Sequence, residues 1–322
     1  MPQRIRIAPV LAALEGRPVF NEIALCHALD EFERIKGSDA GQVRFFDLRG
    51  KLKTYPYESV SGFDLCLRFF DLQQLAADSF NDCPYGISNG RLPPHDCDGI
   101  EELEGHLEEW ETFWEGSKFR KDLIAHLSGY AKDLKKVTRI VCFGLGRILP
   151  RRHGYPGACY IQHLAACAIR DVLMREEHHG DGIDKKKLEI FVQDPDYCDT
   201  CKKILVDRLG VNVVDGDSGF LEVNENTFVI SVSPNICVRQ IVTGITFDKG
   251  GPAAMLCDEI NNDGMEHEGV EVTGDFAPYT TDPSAPWVAE YKARCISYLL
   301  NDISEGKNMV FGALGLYMKQ TS

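Results

Sequence analysis

The chain has 322 residues, 44% of them hydrophobic and 10% aromatic, enough for one large domain or two small ones with substantial cores. A formal net charge of −14, with no long basic run, excludes the counterion-releasing surface that nucleic-acid binding requires. No apolar run approaches the ~18 residues of a membrane span, and the start lacks the apolar core and small-residue cleavage site of a signal peptide; the expected location is cytoplasmic, with the nucleus also open.

Residues 18–36 carry Phe20, Ile23, Ala24, Ala28, Phe32 and Ile35 at steps of three or four and predict a helix. "QVRFFDL" and "KLKTYPYE" flank Arg49-Gly50 and predict a hairpin. "DLQQLAADSF" (71–80) predicts a short helix. Residues 81–99, with Pro84, Gly86, Asn89, Gly90, Pro93 and Pro94, read as turns and mark a boundary or a mobile loop. The expected division is an N-terminal mixed α/β extension over 1–99 and an α/β domain over 100–322. Residues 100–136 carry Leu103, Leu107, Trp110, Phe113, Trp114, Leu123 and Leu127 and predict one broken or two consecutive helices, with "KDLKK" (132–136) as a helical surface. From residue 137 strand-like runs (137–143, 188–193, 211–214, 227–233) alternate with helix-like runs (158–176, 198–208, 235–243). Residues 253–260 read as strand or helix. "PWVAEYKARCISYLLNDIS" (286–304) predicts an amphipathic helix with Val288, Tyr291, Cys295, Tyr298 and Leu299 on one face, and 309–318 a last strand. Such alternation argues for a parallel sheet covered by helices.

Three junctions carry candidate chemistry. "VCFGLG" (141–146) is a strand ending in Gly-x-Gly, a turn that directs backbone N–H groups toward a phosphate or carboxylate. Leu149 stands where a dinucleotide fingerprint has its third glycine, no acid follows at about 20 positions, and "RILPRRHGYPG" delays the helix. Arg147, Arg151, Arg152 and His153 cluster there, with Gly154 and Gly157 loosening the backbone; guanidinium groups at that place make an anion trap, or a solvated basic loop. The second junction, "FVQDPDYCDTC" (191–201), ends a strand at Asp194, which would meet Gly144 and Gly146 if the two strands pair, and would accept from a ribose or an amine, or simply cap the next helix. Cys198 and Cys201 have the spacing of half a zinc site or a redox pair, but no second pair accompanies them; His178 and His179 lie on the loop before the strand. Two cysteines on the first turn of a helix is the simpler reading, and no metal site is expected. The third junction, "VISVSPNICVRQIV" (229–242), gathers Ser231, Ser233, Asn235 and Cys237. Cys237 at a helix N-terminus would have a lowered pKa, without a histidine near in sequence to serve as its base. The twelve cysteines read as free thiols, with Cys26, Cys142, Cys167, Cys257 and Cys295 inside apolar runs and buried.

In this order, "IVCFGLGRI", "FVQDPDY…ILVDRLGVNVV" and "TFVISVSPNICVRQIV" resemble the sensitivity-to-red-light-reduced-like (SRR-like) family over about 100–260. In that family a Gly-Leu-Gly strand end precedes a helix beginning near a glutamine, here Gln162 in "YIQHLA"; an Asp-Pro strand end follows, here Asp194-Pro195; and a strand closes on Pro-His-Cys, here Pro234, Asn235 and Cys237 with one residue between. The helix-rich lead-in "WETFWEGSKFRKDL" looks like that of fungal members. The chain departs from the family where Asn235 replaces the usual histidine: asparagine keeps hydrogen bonding but neither titrates nor holds zinc well. The resemblance implies links to light and circadian signalling in plants and to haem-related and cytoskeletal regulation elsewhere, and brings no defined reaction. Haem ligation would need an exposed Cys198, Cys237 or His153, and no haem motif is present.

These readings combine into an α/β protein with a Rossmann-like, doubly wound, mostly parallel sheet and an N-terminal mixed α/β extension. The expected function is that of a regulatory protein with a cleft at strand carboxyl ends for a small anionic or nucleotide-like ligand, formed by Gly144, Gly146, Arg147, Arg151, Arg152, Gln162, Asp194 and Asn235, with no catalytic residue and no specified cofactor. One alternative is a Rossmann-like enzyme such as an S-adenosylmethionine-dependent methyltransferase, although Phe143 stands where such enzymes place an acid before the first glycine. The other is a protein–protein module whose patch is Trp110, Phe113, Trp114 and Phe119.

Overall fold

A computed structural model describes residues 3–36, 41–60, 63–77, 82–90, 100–149, 155–177, 188–272 and 277–320. The chain opens with β1 (Gln3–Arg4), α1 (Ile7–Leu14) and α2 (Glu22–Ile35). The Asn21 side chain caps α2 by accepting from Ala24 N at 2.9 Å, and Ala24, Leu25, Ala28, Phe32 and Ile35 form its buried face. Ile23, expected on that face, points to solvent and is 77% exposed. The hairpin β2 (Gln42–Phe46) and β3 (Leu52–Pro56) closes on Gly50, whose φ of +74° is the left-handed turn that glycine accepts. A second hairpin, β4 (Leu65–Phe69) with β5 (Tyr85–Asn89), encloses α3 (Leu72–Ala77). β5 lies inside the stretch expected to be turns: cross-strand pairing with β4 overrides its glycine and asparagine content, while 91–99 lie outside the described residues.

The helical segment divides into α4 (Ile100–Gly116) and α5 (Lys118–Tyr130). Ser117 makes the break: its extended backbone lets Oγ accept from Arg120 N at 3.1 Å as the cap of α5. α5 ends at Tyr130, so Lys132–Lys136 lie beyond the helix, in a turn followed by a bridge from Leu134 to Gln320, rather than on a helical surface. There follow β6 (Arg139–Phe143), α6 (Ala158–Glu177), β7 (Glu189–Gln193), α7 (Asp199–Leu209), β8 (Asn212–Val213), β9 (Thr227–Ser231), α8 (Val238–Ile245), β10 (Ala254–Asp258), β11 (Glu271–Val272), α9 (Pro286–Ala293), β12 (Cys295–Asn301) and β13 (Ala313–Lys319). The long helix expected over 286–304 stops at Ala293. From Cys295 the chain is a strand that pairs antiparallel with β13 at seven positions, Cys295↔Lys319 to Asn301↔Ala313. Cys295, Tyr298 and Leu299 therefore lie on a strand, where a period of two replaces the helical period.

The chain falls into two compact units. One comprises Pro94–Ser233, Pro252–Glu259 and Arg294–Ser322 and contains a seven-stranded sheet in the order β12-β13-β10-β9-β6-β7-β8. The run from β10 to β8 is parallel; β13 is antiparallel to both its neighbours. Continuous burial along β6, β9 and β10 is the signature of central parallel strands. Ile140, Cys142, Ile190, Val192, Phe228, Ile230, Leu256 and Leu316 belong to one apolar core with Trp110, Trp114, Leu123, Leu127, Ile161 and Ile169 from α4, α5 and α6. Trp110 lies so close to Gly157 that a Cβ there would come within 2.3 Å of the indole, so Gly157 serves packing rather than looseness. Trp110, Trp114 and Phe119 are core residues rather than a surface patch, and Phe113 stacks half-buried on Tyr155 at 4.0 Å.

The other unit comprises Met1–Pro93, Pro234–Gly251 and Ile260–Ala293. It holds three two-stranded sheets, β1 with β11, β2 with β3 and β4 with β5. Its interior is tied by polar side chains. Arg239 and Asp282 form a salt bridge at 3.1 Å with both side chains 2% exposed, and Asp282 also accepts from Arg239 N. Gln240 accepts from Leu72 N at 3.0 Å and donates to Gln73 Oε1 and the Pro283 carbonyl, while Gln73 donates to the Ser284 carbonyl at 2.7 Å. Among the described residues no helix is long and apolar enough to cross a membrane.

Candidate functional site

The carboxyl ends of β7, β6, β9 and β10 lie side by side in parallel strands. Phe143 pairs with Gln193 on one side and Ser231 on the other, so the three side chains share one face of the sheet. Beyond Phe143 the chain turns through Gly144 (φ +67°) and Gly146 (φ +81°), both in the left-handed region where a side chain is strained. Gly144 N donates to the Gln193 carbonyl at 3.0 Å and extends the β6–β7 ladder. Gly146 N donates to Asp194 Oδ2 at 2.7 Å, and Asp194 Oδ1 accepts from Asp196 N at 2.8 Å. Gly144, Gly146 and Asp194 are thus brought together across 48 residues of sequence, and both glycine amides are occupied from within the protein. The turn is therefore not an open phosphate cradle. Arg147 sits half-buried beside it; Pro150, Arg151, Arg152, His153 and Gly154 lie outside the described residues, as do His178 and His179.

The remaining predicted residues have other places. Gln162, buried near the start of α6, donates to the Val310 carbonyl at 2.9 Å and ties that helix to the segment before β13. Asn235 is exposed, follows the buried Pro234 and belongs to the other unit, as does Cys237. Burial pushes the Cys237 thiol far above its ordinary range, and Asp71 and Asp282 reinforce the shift. The thiolate that a helix N-terminus was expected to favour is thereby disfavoured, because desolvation outweighs the helix dipole. Cys142 and Cys257 are buried as expected, whereas Cys26, Cys167 and Cys295 are half-buried.

Several residues at the rim have no obvious mark in the sequence. His163 is fully buried, with Nδ1 2.6 Å from the Cys159 carbonyl and Nε2 2.6 Å from Tyr197 Oη. Desolvation lowers its pKa to about 4, so the ring is neutral: Nδ1 donates to the carbonyl and Nε2 accepts from the tyrosine. Tyr197 N in turn donates to the Asp194 carbonyl at 3.3 Å, so α6 holds the loop that presents Asp194. A histidine inside the apolar run "CYIQHLAACAI" is the only sequence signal for this link. Gln193 Oε1 and Ser231 Oγ are buried without a hydrogen-bond partner among the described residues. Ser233 adopts φ +45°, rare for a side-chain-bearing residue, and its N and Oγ both lie 3.3 Å from Asp258 Oδ1 at the end of β10. Among the described residues no group of three or more metal-ligating side chains converges.

With this geometry in view, the comparison with known families is decisive at the level of family. The SRR1 domain model matches residues 104–294. The chain belongs to the SRR1 domain family. No curated protein matches this SRR1-domain chain. A solved structure, the MycE methyltransferase from the mycinamycin biosynthetic pathway in complex with Mg and SAH, aligns over 83% of this chain and 74% of its own, at 13% identity and a TM-score of 0.31, a likeness too loose to bear on function.

Proposed function

We propose that this SRR1-domain protein is a regulatory protein, non-catalytic or weakly catalytic, that binds a small anionic or nucleotide-like molecule at the carboxyl ends of β6, β7 and β9. The observation that carries this reading is the pair of buried, unpartnered polar atoms, Gln193 Oε1 and Ser231 Oγ, flanking Phe143 on one face. Buried polar groups are almost always hydrogen-bonded, so two such groups at the ends of the strands on either side of β6 call for a partner. Strand order supports the same place. Counted from β6 as first, the sheet runs 3-2-1-4-5-7-6, and the order in which parallel strands are added reverses at the β6–β9 pair. Ligands of open parallel sheets bind outside the carboxyl ends at such a switch point. Asp194 closes the second strand, where doubly wound nucleotide-binding folds hold ribose hydroxyls, and each of its oxygens accepts one backbone amide. The occupied glycine amides favour a ligand that meets the turn with hydroxyl or amine donors. An anionic portion would fall to Arg147, Arg151 and Arg152.

A thermal-shift panel of nucleotides, S-adenosylmethionine, haem and small phosphates tests the reading. A ligand at 100 times its Kd stabilises by about 2.7 kcal/mol. Stabilisation by a nucleoside-bearing compound, lost in Asp194→Ala, is the expected result; no shift with any member of the panel overturns it.

The Gly144–Gly146 turn with Asp194 at the end of the next strand also supports a second reading, a Rossmann-like enzyme such as a methyltransferase. Tight binding of S-adenosylmethionine with turnover to S-adenosylhomocysteine would select it over a purely regulatory role. A fungal-type assignment rests on the α4–α5 lead-in, and a cytoplasmic or nuclear location accompanies the regulatory reading. Asn235, in place of the family's usual histidine, gives that position an amide that does not titrate.

A further inference from the structure

We propose that Cys198 and Cys201 are a redox-responsive dithiol that closes to a disulfide by exchange with a small-molecule disulfide such as oxidised glutathione. The inference is independent of the ligand reading. Cys198 is the cap residue of α7; its extended backbone turns Sγ back over the first helical turn, where it accepts from Cys201 N at 3.5 Å. Three residues on, Cys201 brings its own sulfur to 3.3 Å from Cys198 Sγ, with the Cys198 S–H directed at it. A disulfide bond is ~2.05 Å long, so closure needs the sulfurs to approach by little more than 1 Å. A Cys-x-x-Cys pair on one helical turn holds its two sulfurs close enough for the second thiol to resolve a mixed disulfide on the first.

In the exchange, the Cys198 thiolate attacks one sulfur of the small disulfide and releases one thiol. Cys201 then attacks the mixed disulfide and releases the second thiol. Two electrons and two protons pass from the protein to the oxidant, which leaves as two thiols. The reaction has a structural consequence. Cys201 Sγ donates to the Ile148 carbonyl at 3.9 Å, on the segment that follows the Gly144–Gly146 turn. A disulfide has no S–H, so oxidation removes that one contact to the segment. Both thiols are buried, and burial together with the Cys198 contact raises the Cys201 thiol pKa. Exchange therefore proceeds through brief opening of the α7 N-terminus, more slowly than at the exposed Cys66.

The test treats the native full chain with oxidised glutathione, quenches with acid, alkylates under denaturing conditions and maps the peptides by mass spectrometry. The expected result is loss of alkylation at Cys198 and Cys201 together, reversed by dithiothreitol, after Cys66 reacts and while the buried Cys142 remains alkylatable. Hydrogen exchange at 144–149 should rise in the oxidised form. Cys201→Ser should trap glutathione on Cys198 as a stable mixed disulfide. If Cys198 and Cys201 stay alkylatable after Cys66 is fully modified, or pair only with other cysteines, the dithiol proposal fails. If the disulfide forms with no change in exchange at 144–149, the coupling to the glycine turn fails.

Discussion

The two compact units satisfy their buried polar side chains in different ways. In the unit built on the seven-stranded sheet, buried polar side chains bond mostly to nearby main chain: Gln162 to the Val310 carbonyl, His163 to the Cys159 carbonyl, and Asp302 to the amides of Val310, Phe311 and Gly312. In the other unit, side chains from distant segments meet as a buried polar network, Gln73, Arg239, Gln240 and Asp282. The contrast extends to protons. Asp71, buried in the second unit, is driven up to about 7 by desolvation and by the nearby charges of Asp282 and Asp263, against the hydrogen bonds from Gln74 and Gln73. His163, buried in the sheet unit, is driven down to about 4 by desolvation. One unit retains a proton that water would remove; the other rejects a proton that water would supply. The lesson is that one cause, loss of hydration, gives opposite protonation in acids and bases.

The largest expected effect breaks the polar network. Asp282→Ala removes the carboxylate that faces the buried Arg239 guanidinium and should cost about 3–5 kcal/mol in denaturant unfolding. Replacing both partners, as in Arg239→Met with Asp282→Leu, should cost far less. If the single and double changes cost the same, the pair is not the network's critical element. In the sheet unit, the comparable perturbation is Leu123→Ala, a cavity costing about 2–5 kcal/mol.

The titrating pair sharpens the comparison next. For Asp71, the unfolded chain loses its proton near pH 4 and the folded chain near pH 7, so folding stability falls as pH rises across that window and levels off above it. Asp71→Asn should remove this slope and raise stability at pH 8 by on the order of 4 kcal/mol. For His163, the unfolded ring takes up a proton below about 6.5, whereas the folded ring resists until about 4, so stability rises with pH between these values. The two slopes oppose each other in the wild type, and Asp71→Asn should uncover acid destabilisation between pH 6.5 and 4. A flat profile in that variant would contradict the neutral histidine.

Smaller effects test the packing and the rim. Gly157→Ala forces a Cβ against Trp110 and should cost about 1–3 kcal/mol. Asp194→Ala frees Gly146 N and should cost about 1–2 kcal/mol, with faster amide exchange at Gly146.

Much of the sheet was legible because burial on both faces leaves continuous apolar runs: 139–143, 189–193 and 227–231 lie inside the predicted stretches. The Gly144–Asp194 pairing was readable only as a conditional, because the usual spacing to an acid fails and α6 separates the two positions. His163–Tyr197, the unpartnered Gln193 and Ser231, and the strained Ser233 were not legible. Each is defined by what surrounds it in space, and an amide or hydroxyl in sequence carries no sign of having lost its partner. Strand β12 was misread because "CISYLLN" fits a helical period as readily as a strand, and only the seven-residue pairing with β13 settles it.

By itself, the amino-acid order determined the alternation of strands and helices, the left-handed turn at Gly144 and Gly146, and the family. These depend on local periodicity, turn stereochemistry and short motifs, all properties of neighbours in sequence. Only the tertiary structure decided that the glycine amides are already occupied, that Cys237 is a buried thiol rather than an activated one, and that Asp71 and His163 hold unusual protonation states. Those outcomes depend on desolvation and on partners tens to hundreds of residues away, and hydration is lost only once the chain has folded around the group.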